Sequence, residues 1–251
     1  MRFVFKTSYN QDIQIFRDKV DFGWYAALAL LAVGLPFVMS PYAAGETAWV
    51  FIYGICGVSL MVLVGYTGLV SLGHAAFLGI GAYAHAFFLE HGVPWVAAVG
   101  MAVAITTACG LIVGLPALRM TGIYLAIATL AFSIILQEVF TRWEAVTHGF
   151  AGMPVAAPEI FGFSFAGERP FYYLCLLFLV LVLWLTRNLL RAPTGRAWIA
   201  IRDSEIAAQS MGVNLAIYKS MAFAYSAGLM GLGGALFAHK IGYLAPDIFT
   251  I

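Results

Sequence analysis

Residues 65–87 read GYTGLVSLGHAAFLGIGAYAHAF. Five glycines, Thr67, Ser71, His74 and His85 stand here between two apolar runs. The stretch decides whether this is a set of plain hydrophobic helices or a bundle with an interrupted one. Gly65 and Gly68 can end one helix. Gly73, Gly79 and Gly81 keep the next thin enough for another helix to approach closely. Non-helical backbone at membrane depth survives only against protein or a water-filled cavity. A helix starting near Ser71–His74 has free N–H groups that can face a carboxylate, as discontinuous transporter helices do. From the residues alone two readings stand: a packing turn, and part of a substrate pathway.

The rest of the chain sets the solvent. Of its 251 residues 63% are hydrophobic and 10% charged, against about 45–50% and about 25% in a soluble domain. A polytopic all-α membrane bundle is the expected fold class. The net charge of +1 gives no bias toward polyanions, and no nucleic-acid partner is expected. Cys56, Cys109 and Cys175 lie in apolar runs without metal-ligand spacing and read as small buried hydrophobes. No metal site is expected.

Seven apolar segments run approximately over residues 24–39, 48–66, 74–89, 95–118, 121–139, 171–186 and 221–238. A helix crosses the hydrocarbon in about 20 residues, so several are short spans. The mostly polar residues 1–20 do not read as a cleaved leader. With the N-terminus inside, ten Lys and Arg fall inside and only Arg142, Arg169 and Lys240 outside, a positive-inside bias. Trp95, Trp143 and Trp184 near segment ends suit the interface. Two loops are longer than turns: residues 140–170 outside and 187–220 inside. In the second, Asp203 or Ser204 can cap a short helix carrying Glu205, Ala207, Ala208 and Met211, and Gly212 suits its end.

Enzyme chemistry has no assembled site. No HExxH, GxSxG or GxxxxGK[ST] occurs. His74 and His85 share a helical face, but one continuous helix sets them about 16 Å apart, too far to share a metal. Gly228 and Gly231, in a span, read as close helix packing, as do Gly79 and Gly81. Glu138, the best candidate for a mid-membrane proton relay, sits at a segment end and reads as a wet interfacial carboxylate. A stand-alone secondary carrier is therefore the weaker rival.

Three stretches carry a family resemblance: residues 65–87, LRMTGIYLAIATLAF at 118–132, and 193–249 beginning PTGRAWIAIRDSEIAAQSMGVN. In this order they resemble LivM-type permeases, the membrane subunits of branched-chain amino acid ABC importers, over about residues 48–250. The resemblance implies a single permease domain over 1–251, with membrane segments in 20–186 and 221–238 and a cytoplasmic coupling loop at 187–220. It implies a homologous second permease, two cytoplasmic ATPase subunits holding ATP and Mg, and an extracytoplasmic binding protein, with no cofactor on this chain. It implies a multi-pass protein of the bacterial cytoplasmic membrane with the N-terminus inside. Ser71, Gly73, His74 and Thr129 become candidates for the substrate pathway. Arg202, Asp203, Glu205, Ala207, Ala208 and Gly212 become the ATPase-coupling candidates, with the alanines seated in a cleft of the ATPase and the charges on its rim.

Two departures bear on substrate. Many members carry Gln where Leu69 stands, and Thr-Gly-Gly where Thr147-His148-Gly149 stands. Related importers handle urea, amides and aromatic acids. The family usually continues past Phe249 with further spans, so a C-terminally incomplete chain is expected.

Overall fold

A computed structural model describes residues 19–117, 120, 122–160 and 162–249. Of the basic residues used for orientation, Arg2, Lys6, Arg17 and Arg119 lie outside the described residues. The helices are α1 (Lys19–Val38), α2 (Pro41–Leu60), α3 (His74–Glu90), α4 (Trp95–Ala117), α5 (Ile123–Arg142), α6 (Glu144–Thr147), α7 (Glu168–Arg191), α8 (Pro193–Asp203), α9 (Glu205–Ser210) and α10 (Leu215–Ile241). Five stretches among the described residues are long and apolar enough to cross a membrane: Pro41–Tyr66, Trp95–Pro116, Ile123–Arg142, Glu168–Arg191 and Leu215–Ile241.

Helix α10 is the axis of the bundle. It packs most extensively on α4 and α3, then on α2, and from Ala222 to Ala238 every residue but the half-buried Tyr225 is buried. Small residues make this possible. A Cβ on Gly81 of α3 would run into the backbone of Gly231 on α10, so the two helices touch main chain to main chain. One turn on, a Cβ on Gly234 would strike the Leu78 carbonyl. Dispersion gained over such a seam replaces the hydrophobic drive that lipid removes.

Several boundaries differ from those expected. Helix α2 begins at Pro41, not near 48, because Ser40 caps it by accepting the Ala43 N–H at 3.3 Å and Pro41 fills the first helical position. Gly45 and Glu46 look like loop residues and are in fact helical. Helix α7 continues to Arg191 and α10 starts at Leu215, where Asn214 accepts the Ile217 N–H. The loop expected at 187–220 therefore shrinks to 192–214. Leu189 and Leu190, read as loop, pack on the Trp198 cluster.

The 140–170 segment is tied down. After α6 come a 3₁₀ turn (Gly149–Ala151) and three short strands, β1 (Met153–Pro154), β2 (Glu159–Ile160) and β3 (Phe163–Ser164). Strand β1 pairs antiparallel with β4 (Tyr243–Leu244), beyond α10, and β2 pairs with β3. Phe249, in a last 3₁₀ turn (Pro246–Phe249), packs its ring at tilted and edge-on angles among Tyr83, Phe140 and Phe237.

Candidate functional site

The interruption foreseen at residues 65–73 is real and has a defined construction. Helix α2 widens into a π-helix over Met61–Tyr66. Thr67 donates its hydroxyl back to the Leu63 carbonyl, and Gly68 turns the chain at φ +70°. Residues 68–73 are irregular, and α3 starts at His74. The Leu72 N–H, which no helix satisfies, donates to Thr129 Oγ1 on α5 at 3.0 Å. A Cβ on Gly73 would overlap the Thr129 carbonyl. Ser71, Gly73, His74 and Thr129 thus meet at one place.

His74 is held from both sides. Its Nδ1 lies 2.9 Å from Ser71 Oγ and its Nε2 2.5 Å from Ser226 Oγ. Ser59 of α2 completes the chain: its hydroxyl donates to the Ser226 carbonyl at 2.7 Å and lies 3.2 Å from Ser226 Oγ. Ser59 and Ser226 are 0% exposed, His74 4% and Ser71 6%. Either neutral tautomer of His74 satisfies both contacts, because each serine hydroxyl can donate or accept. Among the described residues no carboxylate enters this chain of hydrogen bonds, which is therefore not a Ser-His-Asp arrangement. It is a buried polar latch joining α2, the break, α3 and α10.

Ser59 and Ser226 were not singled out in the sequence. A lone serine in an apolar run reads as helix packing, and only the partner across the bundle reveals its role. His85, three turns beyond His74, meets α10 in turn: its Nε2 lies 2.8 Å from His239 Nε2, which also accepts the Trp95 indole N–H at 2.7 Å. Trp95 is therefore buried, not an interfacial anchor. Among the described residues, no three His, Cys, Asp or Glu side chains converge as a metal set.

The 192–214 loop packs against the same break. Trp198 of α8 is buried with Leu63, Leu69 and Phe223, and its indole donates to the Tyr218 carbonyl at 2.9 Å. Arg202 lays its stem over Gly68 and donates Nη1 to the Gly65 carbonyl at 2.9 Å. Ser204, not Asp203, caps α9, accepting the Ala207 N–H at 3.3 Å. Asp203 instead pairs with Arg202 at 3.2 Å. Glu205 turns inward to Lys219 of α10 at 2.7 Å, and that lysine is 1% exposed. Ala207 is exposed, whereas Ala208 is buried against its own chain. The apolar side chains offered outward are Ile206 (81% exposed) and Met211 (85%). Gly212 ends the element at φ +85°.

The remaining candidates fall at helix contacts. Added Cβ atoms would meet the Phe140 ring at 2.6 Å from Gly79, Thr107 Oγ1 at 2.5 Å from Gly228 and Thr106 Oγ1 at 2.5 Å from Gly231. Glu138 is exposed and paired with Arg142 one turn on. Leu69, at the first departure, is buried in the core beside the break.

A sequence profile described as branched-chain amino acid transport system / permease component matches residues 42–251. Two curated proteins, each a high-affinity branched-chain amino acid transport system permease protein LivM, are similar to the chain. The one from Salmonella typhimurium is 34% identical and the one from Escherichia coli 35%; each match covers 89% of this chain and 59% of the relative. The chain thus spans about three-fifths of the length of these relatives. No solved structure matches it.

Proposed function

The chain belongs to the family of branched-chain amino acid transport permease components, and from that premise we propose that it is a membrane subunit of an ATP-driven importer of branched-chain amino acids. It is a multi-pass membrane protein. Its proposed setting is the bacterial cytoplasmic membrane, with the N-terminus and the loop at 192–214 on the cytoplasmic side. Its proposed partners are a second permease, two ATPase subunits carrying ATP and Mg, and an extracytoplasmic binding protein that delivers substrate.

The observation that carries the mechanism is the pair of struts from the loop to the membrane core. Arg202 grips the Gly65 carbonyl at the end of the π-helix, and Glu205 grips Lys219 on α10. Lys219 and Ser226 are seven residues apart, two turns or about 10.5 Å along one face. A displacement of α8 and α9 together is therefore delivered to both sides of the His74 latch, through Arg202 and Glu205. Ile206 and Met211 form the apolar seat for an ATPase subunit, since large apolar side chains at a protruding tip are typical anchors. Glu205 acts within the chain, as a positioning residue, not on the rim of the ATPase.

The stand-alone carrier loses its best residue, because Glu138 is solvated and paired. The test is the importer reconstituted in lipid with its partners. Ile206→Asp with Met211→Asp should abolish ATPase co-purification and leucine uptake while the permease still inserts. Full binding-protein-stimulated ATP hydrolysis and uptake by this variant would refute the proposed coupling. Competition by urea or an aromatic acid, but not by leucine, would reassign the substrate.

A further inference from the structure

Helix α10 is 27 residues long, about 40 Å, and its far end carries a second polar group that the mechanism above does not use. There Lys240 Nζ pairs with Glu168 Oε2, in the first turn of α7, at 2.6 Å. The lysine side chain is 11% exposed and the glutamate 45%. The pair lies against the backbone of α2: a Cβ on Gly45 would come 2.7 Å from Lys240 Nζ and overlap Glu168 Oε2. Both charges line a cavity of about 170 Å³. Its other walls include Pro158, Phe165 and Phe171, with His239 beside the lysine. Trp95 and His85 fix His239, so that wall does not yield.

We propose that this cavity is a binding site for a free zwitterionic amino acid with an aliphatic side chain, at the end of the bundle opposite the coupling loop. The inference rests on the importer reading and adds to it a site on this chain. The ligand carboxylate takes Lys240 and its ammonium takes Glu168, and the side chain lies against Pro158, Phe165 and Phe171. Two ion pairs replace one, the charge of the site is unchanged, and neither protein charge is left unpaired. A lone carboxylate would strand Glu168, and a lone amine would strand Lys240; stranding a partly buried charge is the costly outcome. The geometry therefore discriminates for zwitterions by penalising each half-ligand. The space is more than ten times the roughly 10–15 Å³ that admits one water. It is below the roughly 300 Å³ of drug-sized sites, which suits a small ligand.

The alternative is that the pair only staples α7 to α10, and the experiment separates the two. The assembled importer, in nanodiscs without binding protein, is titrated with labelled leucine. Competitors are 4-methylpentanoate, which lacks the ammonium, and 3-methylbutylamine, which lacks the carboxylate. Leucine should bind and neither analogue should displace it at tenfold excess. Lys240→Met and Glu168→Gln should each weaken leucine binding by about tenfold or more. The exchanged pair, Glu168→Lys with Lys240→Glu, keeps the staple but inverts the ligand against its apolar wall; assembly should be normal and leucine binding still weak. Gly45→Ala displaces the pair without deleting a charge, and should also weaken binding where a charge variant fails to assemble. Leucine binding unchanged in the single variants, fully restored in the exchanged pair, or absent from the wild type overturns the site. Wild-type leucine uptake with unaffected variants sinks this site alone, whereas a wild type that imports no leucine sinks the importer reading.

Discussion

At the scale of single residues, the latch around His74 is where small changes should be felt. Ser226→Ala removes the partner of His74 Nε2 and leaves a buried nitrogen facing a methyl group, a loss of about 1–3 kcal/mol. His74→Ala removes the hub, and should alter uptake while the complex still assembles. A double-mutant cycle of the two in thermal unfolding should show strong non-additivity, since the residues share one hydrogen bond; additive losses would mean that the contact contributes nothing. His148 is a different case. It adopts φ +58° and is the only non-glycine residue at positive φ among those described. Its Nε2 lies 3.3 Å from Glu90 on a partly exposed surface. His148→Gly should relieve roughly 1–2 kcal/mol of backbone cost, less a few tenths for the exposed contact. A lower unfolding midpoint for this variant would contradict that balance. Here the sequence was informative for a physical reason: the family resemblance places Gly where His148 stands, and Gly is what that backbone favours.

At the scale of elements, the contact of α3 with α10 is the most demanding, because two glycines meet with no side chain between them. Gly81→Leu should abolish folding or assembly, read as loss of the detergent-stable chain. Gly100→Ala on α4 is the control: its Cβ meets nothing within 4 Å, so it should be neutral or stabilise by up to about 1 kcal/mol through helix propensity. Equal behaviour of the two would remove close packing as the reason for Gly81. Lys219→Met keeps the stem but frees Glu205, and should uncouple ATP hydrolysis from uptake without loss of assembly. The glycine pattern made the thin helices and the break legible in advance. The π-helix, the Arg202 strut and the Glu205–Lys219 pair were not legible, because each depends on which residue lies across the bundle. An isolated Lys at the edge of an apolar run, such as Lys219, looks like an interface anchor until its partner is seen. Helix ends were missed for a related reason: polar residues such as Glu46 and Arg187 interrupt the hydropathy signal but not the backbone hydrogen bonds.

At the scale of the whole molecule, the proposed orientation makes the two ends of the bundle chemically distinguishable. In a background with Cys56, Cys109 and Cys175 replaced, Ala157→Cys should react with a membrane-impermeant thiol reagent in intact cells. Ser210→Cys should react only after the membrane is opened. Both positions are exposed, so the reverse pattern would invert the topology. The composition and the seven apolar runs were enough to place the chain in a bilayer, since solvent class is a bulk property. They could not show that the 140–170 segment is tied to the residues after α10, because a two-residue ladder such as β1–β4 leaves no periodic trace.

Helix α10 carries Lys219 near one end, Ser226 close to its middle, and His239 and Lys240 at the other end. One helix thus joins the proposed coupling element, through Lys219, to the groups that line the far cavity. Thermodynamic linkage then makes the two ends reciprocal: if a ligand at Lys240 favours one position of the helix, it must change the affinity of the coupling element for the ATPase, and a docked ATPase must change that ligand's affinity by the same factor.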